Sequence, residues 1–398
     1  MNFVFISPNF PKSYWNFCRG LKNNGVNTLA IGDEKYDDLS TELKSVINEY
    51  YKVSSLENYD EVYRACAYFA FKYGHIDWLE SNNEYWLLRD AKLRTEFNIN
   101  TGLKEDKIGG IKYKSQMKEF YKNAGVLTAR YHIVTPNYED GKRFTDKAGY
   151  PVVVKPNNGV GAAATYKLSN DEEMKYFYTT HDKNVEYIVE EFINGELLSY
   201  DGIADSKKDI IFETAHAYPV PVMNLVNDQI DLIYYSYREI PQDLKEAGRK
   251  TVKSFDTNSR FFHCEFFRLS EDKIGLGNKG DIVGLEVNMR PPGGFTPDMM
   301  NYANNIDVYQ IWADMVTFDK GNFDKNSRPY HCVCLARRDA HKYVFSQEEV
   351  IEKYRDSIVM KERMPDIMSA AMGNDMLIAR FETLEQCFEF ADMYLKQC

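Results

Sequence analysis

The sequence predicts a mixed protein of α/β and α+β class, built from two or three packed domains. Three observations lead to this prediction. Apolar runs of strand length alternate with helical segments in the first part of the chain, which favours a parallel sheet. Strand-like segments dominate the middle, and a short strand–helix–strand–strand–helix pattern ends the chain. At 398 residues the chain is also too long for one hydrophobic core.

Four apolar runs and the helices between them organise the first part of the chain. The predicted strands are Phe3–Ile6, Val26–Ile31, Tyr51–Val53 and His75–Leu79. The predicted helices are one that ends at Asn24-Gly25, one near Asp38–Tyr50 and one near Asp60–Tyr73. This alternation predicts a small doubly wound parallel sheet. The first strand is not followed by G-x-G-x-x-G, so a dinucleotide site is not expected.

A helix followed by many strands is predicted for the middle of the chain. Met117 and Tyr121 lie on one stripe of a helix over Lys114–Ala124, with Gly125 at its C′ position. Ser169 and Glu172 have the spacing of a capping box at the start of a later helix. The predicted strands are Arg130–Val134, Val152–Lys155, Thr165–Leu168, Tyr187–Phe192, Leu197–Ile203, Ile210–Thr214, Phe261–Leu269 and Val283–Met289.

The polar segment Asn322–Arg328 predicts a boundary, after which a compact C-terminal pattern begins. Capping boxes are predicted at both helix starts of this part, from Ser346 with Glu349 and from Thr383 with Gln386. The predicted elements are strand Tyr330–Ala336, helix Gln347–Tyr354, strands Ser357–Lys361 and Asp375–Phe381, and helix Leu384–Leu395.

Composition and charge exclude several classes of protein. The net charge of −11 leaves no general basic surface for nucleic acid. No stretch approaches the ~20 apolar residues of a membrane span, and Met1–Ile6 lacks the charged and long apolar regions of a signal peptide. The odd, scattered set of seven cysteines predicts reduced thiols, with Cys332 and Cys334 in the core. We therefore expect a cytoplasmic protein without a nucleic-acid or membrane partner.

The segment Val283–Arg290 carries the sharpest chemical signal. Because side chains alternate along a strand, Glu286, Asn288 and Arg290 stand in line on one face, opposite an apolar face. A carboxylate, an amide and a guanidinium in one line are unusual for a strand that serves only the core. A solvent-exposed strand face is the alternative for this segment taken alone.

The preceding strand strengthens the functional interpretation. Glu265 and Glu286 lie about equally far from Gly275 and Gly277, where an antiparallel hairpin would turn, so the two carboxylates are expected to face each other. Near-buried carboxylates raise each other's pKa, and a divalent cation removes that penalty. Two carboxylates and the amide oxygen of Asn288 are hard ligands that suit Mg²⁺ with nucleotide phosphates.

A second signal is the strand that ends at Lys155, followed by a loop of small residues. Gly159, Gly161 and Ala162 allow backbone N–H groups to approach phosphate oxygens, and Lys155 can reach the same phosphates. It is not a Walker loop, because G-K-[ST] is missing and a strand follows. A plain β-hairpin with a small-residue turn is the alternative.

A third, weaker signal is the predicted strand Tyr187–Phe192, whose apolar start runs into two glutamates. It carries Glu190 and Glu191, then Ile193 and, one residue after a glycine, Glu196. An edge strand with an acidic turn would look the same.

These segments, in this order, resemble the ATP-grasp superfamily, which includes carboxylate-amine ligases and the large subunit of carbamoyl phosphate synthase. The matching parts are Lys155 with its small-residue loop, the linker Glu190–Ile193, and Glu265 with the E-x-N-x-R strand. The resemblance implies a pre-ATP-grasp domain at 1–104, a two-lobed ATP-grasp domain at 105–321 (small lobe about 126–190, large lobe about 191–321), and a small α+β subdomain at 328–398.

The resemblance also assigns roles to residues. Lys114 and Lys155 would contact ATP phosphates, and Glu190 with the backbone of Glu191 and Ile193 would contact adenine. Glu196 would bind the ribose hydroxyls, although the spacing before it departs slightly from the family's. Arg290 would stabilise the transferring phosphoryl group. Mg²⁺ or Mn²⁺ would be held by Glu265, Glu286 and Asn288.

The resemblance implies an ADP-forming carboxylate-amine or carboxylate-thiol ligase, which activates a carboxylate as an acyl phosphate. The alternatives are a carboxylase or carbamoyl-phosphate-type synthase and a non-catalytic nucleotide-binding module. We expect small-molecule partners, a carboxylate and an amine-type acceptor, and a homodimer is compatible with the sequence. Candidate substrate contacts are the turns Ser7–Pro11 and Glu80–Glu84 and the Pro291–Gly294 segment. The identity of the substrates is not readable.

Overall fold

The fold is that of a computed structural model, which describes residues 1–159, 164–220, 229–255, 258–364, 369 and 372–398. Two predicted loop residues, Gly161 and Ala162, lie outside the described residues. The strands of the described chain form three sheets of four, nine and four strands.

The N-terminal sheet is parallel, as the alternation of strands and helices predicts. Its strands run in the order β3-β2-β1-β4, which places the ends of β1 and β4 side by side. The elements are β1 (Asn2–Ile6), α1 (Trp15–Asn23), β2 (Asn27–Gly32), α2 (Thr41–Val46), β3 (Glu49–Lys52), α3 (Tyr59–Tyr73), β4 (Trp78–Glu80) and α4 (Leu87–Glu96).

The predicted helix near 38–50 is too long. Helix α2 ends at Val46, and the residues that follow form β3. Tyr50 and Tyr51 pair with Ala30 and Ile31 of β2, so sheet pairing determines the conformation of these aromatic residues.

The second four-stranded sheet is antiparallel and has the order β6-β9-β7-β8. Its elements are β6 (Tyr131–Ile133), α6 (Tyr138–Ala148), β7 (Val152–Pro156), β8 (Tyr166–Leu168), α7 (Asp171–Thr180) and β9 (Tyr187–Glu191). The predicted cap of α7 is wrong by one residue. The side chain of Asn170, not Ser169, accepts from the N–H of Glu173, whose carboxylate binds the Ser169 N–H.

The large sheet has the order β16-β17-β15-β12-β11-β10-β13-β14-β5. Short β5 and β12 are absent from the sequence prediction. The C-terminal strands continue this sheet through β15, and the division into domains stays a prediction. The strands are β5 (Leu127–Thr128), β10 (Gly195–Ala204), β11 (Ile210–Tyr218), β12 (Leu232–Ser236), β13 (Arg260–Leu269), β14 (Ile282–Asn288), β15 (His331–Arg337), β16 (Ile358–Arg363) and β17 (Asp375–Phe381).

Helices cover the large sheet on both faces and bury its apolar residues. Tyr121 of α5 and Phe255 after α8 pack with Phe266 of β13 on one face. Both C-terminal capping boxes are confirmed, at Ser346 and Thr383. The helices are α5 (Lys114–Ala124), α8 (Gln242–Ser254), α9 (Thr296–Asn304), α10 (Val308–Phe318), α11 (Gln347–Lys353) and α12 (Leu384–Leu395).

The thiols are buried, with one exception. Cys332 and Cys334 lie in the core on β15, as predicted, and Cys18, Cys66, Cys264 and Cys387 are buried too. Cys398 alone is exposed, and no disulfide joins the described cysteines. Within the described ranges, no helix is both long and apolar enough to cross a membrane.

Candidate active site

The hairpin of β13 and β14 brings the predicted metal ligands together. Glu265 stands directly opposite Glu286, which confirms the predicted register, and Asn288 lies opposite His263. Partners opposite each other in an antiparallel pair point to the same face, so both carboxylates and the amide share one face of the sheet.

Burial and repulsion act on the two carboxylates. Burial raises the pKa of Glu286, and the neighbouring carboxylate of Glu265 raises it further, although Lys114 opposes both effects. The Lys114 ammonium lies 3.3 Å from Glu286 Oε2 and thus supplies a cation beside the carboxylate pair. Burial would also raise the pKa of Glu265, but His263, with Nε2 at 3.3 Å, holds it below the usual value.

A second buried cluster forms around Glu190 on β9. Its two carboxylate oxygens each lie 2.7 Å from a lysine, Oε1 from Lys118 and Oε2 from Lys155. All three side chains are almost fully buried. Burial alone would raise the pKa of Glu190, but the two lysines lower it to about 2. Glu190 therefore stays ionised, whereas burial lowers the pKa of Lys118.

The first turn of α5 is fixed to the strand and loop that carry Lys155. The Lys114 N–H donates to the Asn157 carbonyl at 2.8 Å, and its ammonium donates to the Gly159 carbonyl at 2.9 Å. The Asn157 side chain accepts from the Ser115 N–H at 2.9 Å. Lys114 and Gly159 are thus held together near Glu286, as parts of one site.

The residues predicted to contact adenine and ribose differ in how many of their polar groups already have partners. The Glu191 N–H donates to the Arg130 carbonyl at 3.1 Å, and its carboxylate binds the Arg130 guanidinium, so neither group is free for adenine. In the part of the chain that the structure describes, the Ile193 N–H has no acceptor. Glu196 on β10 is more open, 3.5 Å from Arg268. Their roles stay predictions.

Arg290 connects β14 to the N-terminal sheet. Its Nη2 donates to Glu84 Oε2 at 2.6 Å, and its Nη1 donates to the Pro291 carbonyl at 2.8 Å. Burial would lower the pKa of Arg290, but Glu84 raises it, so the guanidinium stays charged. Glu84 belongs to the turn after β4, which therefore lies at the site. In the turn after β1, Asn9 donates to Glu34, and the contact of this turn with a substrate stays a prediction.

Three features of this site are not predicted from the sequence. Lys118 is typical in sequence of a solvated helix lysine, although its spacing of four residues from Lys114 puts it on the same face. Glu84 was noticed only as part of a turn.

Asp201 on β10 was missed altogether. It is fully buried and accepts from Ser199 at 2.6 Å, His216 at 2.7 Å and His263 at 2.5 Å. Burial would lower the pKa of His263, but Asp201 raises it to about 9, so this imidazolium can donate from both nitrogens, to Asp201 and to Glu265.

The donor set has the size expected for a cation that shares its coordination with a ligand. Within the described ranges, no three or more His, Cys, Asp or Glu side chains are grouped so as to hold a metal ion by themselves. Two carboxylates and one amide would leave several positions of Mg²⁺ to phosphate oxygens and water, as is usual for this ion.

The fold and this arrangement of lysines and carboxylates resemble those of ATP-grasp proteins. A family model of the ATP-grasp domain matches residues 119–227. Over this segment the chain is similar in sequence to ATP-grasp domains.

Two curated relatives are ligases. The L-arginine-specific L-amino acid ligase of Bacillus subtilis is 24% identical over 264 residues, 64% of this chain and 61% of its own. The D-alanine–D-alanine ligase of Clostridium botulinum (strain Eklund 17B / Type B) is 23% identical over 206 residues, 51% of this chain and 65% of its own. The chain thus spans less than two thirds of the length of these relatives.

Solved structures share the fold over nearly the whole chain. An L-amino acid ligase from Bacillus licheniformis superimposes with a TM-score of 0.72 at 13% identity, covering 100% of this chain and 98% of that one. An N5-carboxyaminoimidazole synthetase from Staphylococcus aureus complexed with ADP gives 0.71 at 16% identity, covering 99% and 96%. At these identities the likeness concerns the fold.

Proposed function

We propose that this protein is an ATP-dependent, ADP-forming ligase that activates a carboxylate as an acyl phosphate for capture by an amine. The observation that carries the proposal is the paired carboxylates Glu265 and Glu286 beside Lys114, with the Lys155 cluster and Arg290 nearby in the fold. Phosphoryl transfer depends mainly on positioning and charge neutralisation, and these residues supply both.

The residues fit Mg²⁺ or Mn²⁺. Glu265 and Glu286 face each other, and burial together with the Glu265 carboxylate raises the pKa of Glu286, which a divalent cation would offset. Asn288 would add an amide oxygen from the same strand face. When bound with ATP, the ion would draw charge from the phosphate oxygens of the nucleotide.

The lysines would hold the nucleotide. Lys155 and Lys118 share Glu190, and this carboxylate fixes where both ammonium groups point. Lys114 would move its contact from Glu286 to a phosphate oxygen once a metal ion neutralises that carboxylate. Buried lysines act here as point charges in a site of low dielectric.

Arg290 would serve the reacting group. Glu84 binds Nη2 and so orients the guanidinium. The Nε atom is buried and has no hydrogen-bond partner among the described residues. A guanidinium beside the proposed metal ligands would stabilise negative charge on the transferring phosphoryl group and then on the tetrahedral intermediate. The Pro291–Gly294 segment follows directly and offers backbone N–H groups to a substrate carboxylate.

The names of the relatives favour amino-acid substrates, one as the carboxylate and one as the amine. A cytoplasmic location, where ATP and amino acids are plentiful, is part of the same proposal.

The experiment is a substrate screen with pools of amino acids, followed by identification of the nucleotide product. We expect ADP and phosphate, and with carboxyl-¹⁸O substrate one labelled oxygen in the released phosphate. E286Q should abolish turnover without unfolding the protein, whereas E389Q, on the exposed face of α12, should change nothing. AMP as the product, or unlabelled phosphate beside ADP, would contradict the acyl-phosphate proposal.

A further inference from the structure

A cavity of about 270 Å³ lies beside β11, and none of its lining residues belongs to the proposed nucleotide and metal site. In the described part of the sheet, β12 pairs with β11 only at His216 and Ala217. Among the described residues, the first half of β11, Ile210–Glu213, therefore has no strand paired on this side. The segment 322–328, a polar boundary in the sequence, runs along this edge and contributes four residues to the lining of the cavity.

One wall of the cavity is apolar. Ile211 and Phe212 of β11 are buried, and Phe323 packs edge-to-face on Phe212 with ring centroids 5.9 Å apart. Ile306, from the corner between α9 and α10, adds a further apolar side chain. A ligand here would place an apolar body against this wall.

The opposite wall is charged. Its one carboxylate, Glu213, accepts hydrogen bonds at both oxygens. Glu213 accepts from Arg249 through two bonds of 3.0 and 2.7 Å, from the Tyr200 hydroxyl, and from Lys245 at 3.0 Å. Burial would raise the pKa of Glu213, but these partners lower it to about 2. It therefore remains an anion whose acceptor positions are all occupied.

Two basic side chains of the lining, Arg328 and Lys325, form no ion pair with a carboxylate of the described residues. Arg328 donates through Nη2 to the Glu213 carbonyl at 2.6 Å, while its Nη1 is buried and meets no partner among the described residues. Lys325 is exposed at the rim and forms no ion pair within the described chain. With Arg249, the lining carries three basic residues against one acidic residue, in a chain whose net charge is −11.

We propose that this cavity binds a small organic anion, a phosphate or carboxylate group on an apolar body. Arg328 and Lys325 would contact the anionic group, and Phe323 and Ile306 the body. A buried guanidinium N–H without an acceptor is costly, and an anionic oxygen would supply the missing acceptor. The volume suits a molecule smaller than a nucleotide. The ligand would also touch the corner after α9, the helix that follows the Arg290 segment.

The test is calorimetric titration of the full chain with phenyl phosphate as the probe, with and without saturating Mg-ADP. We expect binding that ADP does not displace. R328Q and K325E should each weaken it by at least about tenfold, which corresponds to roughly 1.4 kcal/mol. R355Q removes the same charge from an exposed position outside the cavity and should bind like the wild type. Benzoate in a second arm distinguishes a carboxylate from a phosphate ligand.

Three results would overturn the proposal: no binding of either probe, equal binding of the uncharged benzyl alcohol, or affinity unchanged in both cavity variants. Displacement by ADP would assign the binding to the nucleotide site instead. Lys325 is exposed, so K325E decides the question even if R328Q does not fold, with circular dichroism as the check. The readout is binding rather than turnover, so failure here leaves the proposed ligase activity untouched.

Discussion

Lys155 and Lys175 are two lysines of the antiparallel sheet region with opposite surroundings. Lys155 is buried against Glu190, whereas Lys175 is exposed on α7. We predict that K155A raises the KM for ATP and lowers kcat, because a phosphate contact is lost, and that K175A changes neither. Steady-state kinetics with varied ATP measures both. Equal, small effects from the two substitutions would show that Lys155 does not contact the nucleotide.

Glu190 links two buried lysines, so its charge contributes to stability. Its pKa is about 2 in the folded protein and about 4.3 in an unfolded chain, so the unfolded state binds more protons between these values. The contribution is therefore complete above about pH 4.3 and is lost as the pH falls toward 2. E190Q should lower the free energy of unfolding at pH 7 by about 3 kcal/mol and flatten its dependence on pH in this acid range.

Urea denaturation of the wild type and E190Q at several pH values measures this difference. E105Q, at an exposed position, is the control and should keep the wild-type slope. If the free energy of unfolding of E190Q kept the wild-type dependence on pH, Glu190 would take up its proton at the same pH in the folded and unfolded states.

The position of a residue relative to others was predictable from the sequence where a single hairpin or helix determines its contacts. The opposition of Glu265 and Glu286 followed from a single hairpin, and the stripe shared by Met117 and Tyr121 followed from one helix. Glu84 and Asp201 were not predictable in this way. Their partners, Arg290 and His263, are brought to them by the packing of separate strands, which no local pattern records.

At the scale of elements, α5 lies directly against β14, and Gly284 makes this approach possible. A Cβ at Gly284 would collide with the buried ring of Tyr121, whereas a Cβ at Gly293 would meet nothing. We predict that G284A lowers the free energy of unfolding by about 1–3 kcal/mol, because overpacking shifts the helix that carries Lys114. G293A, the matched control, should stay within about 0.5 kcal/mol of the wild type.

Denaturant titration gives both values, and equal stability of the two variants would refute the tight contact. Elements with their own stop signals were predictable to the residue, such as α5, which Gly125 ends in the left-handed conformation. Strand β3 was not, because it depends on pairing with β2, and β12 has no turn chemistry that marks it in the sequence.

For the whole molecule, Glu80 joins two sheets. It ends β4 of the N-terminal sheet and lies 3.0 Å from Arg94 and 2.7 Å from Arg260, the first residue of β13 in the large sheet. All three side chains are buried. E80Q leaves two buried guanidinium groups short of an anion, so we predict a loss of about 3–5 kcal/mol in the free energy of unfolding.

E105Q again serves as the exposed control for this experiment. A loss below about 1 kcal/mol in E80Q would mean that the two sheets are held together mainly by apolar packing. The sequence predicted both sheets but not this connection, because nothing local in β4 distinguishes Glu80 from an ordinary residue at the end of a strand.

The burial of every cysteine but Cys398 has a practical consequence. Only a thiolate reacts quickly with maleimides, and burial keeps the other six as protonated, enclosed thiols. A brief treatment of the native protein should therefore attach one fluorophore, at the last residue, where the Cys398 N–H donates to the Lys342 carbonyl. Each further label, counted by mass spectrometry over time, would mark the opening of the segment around one buried thiol.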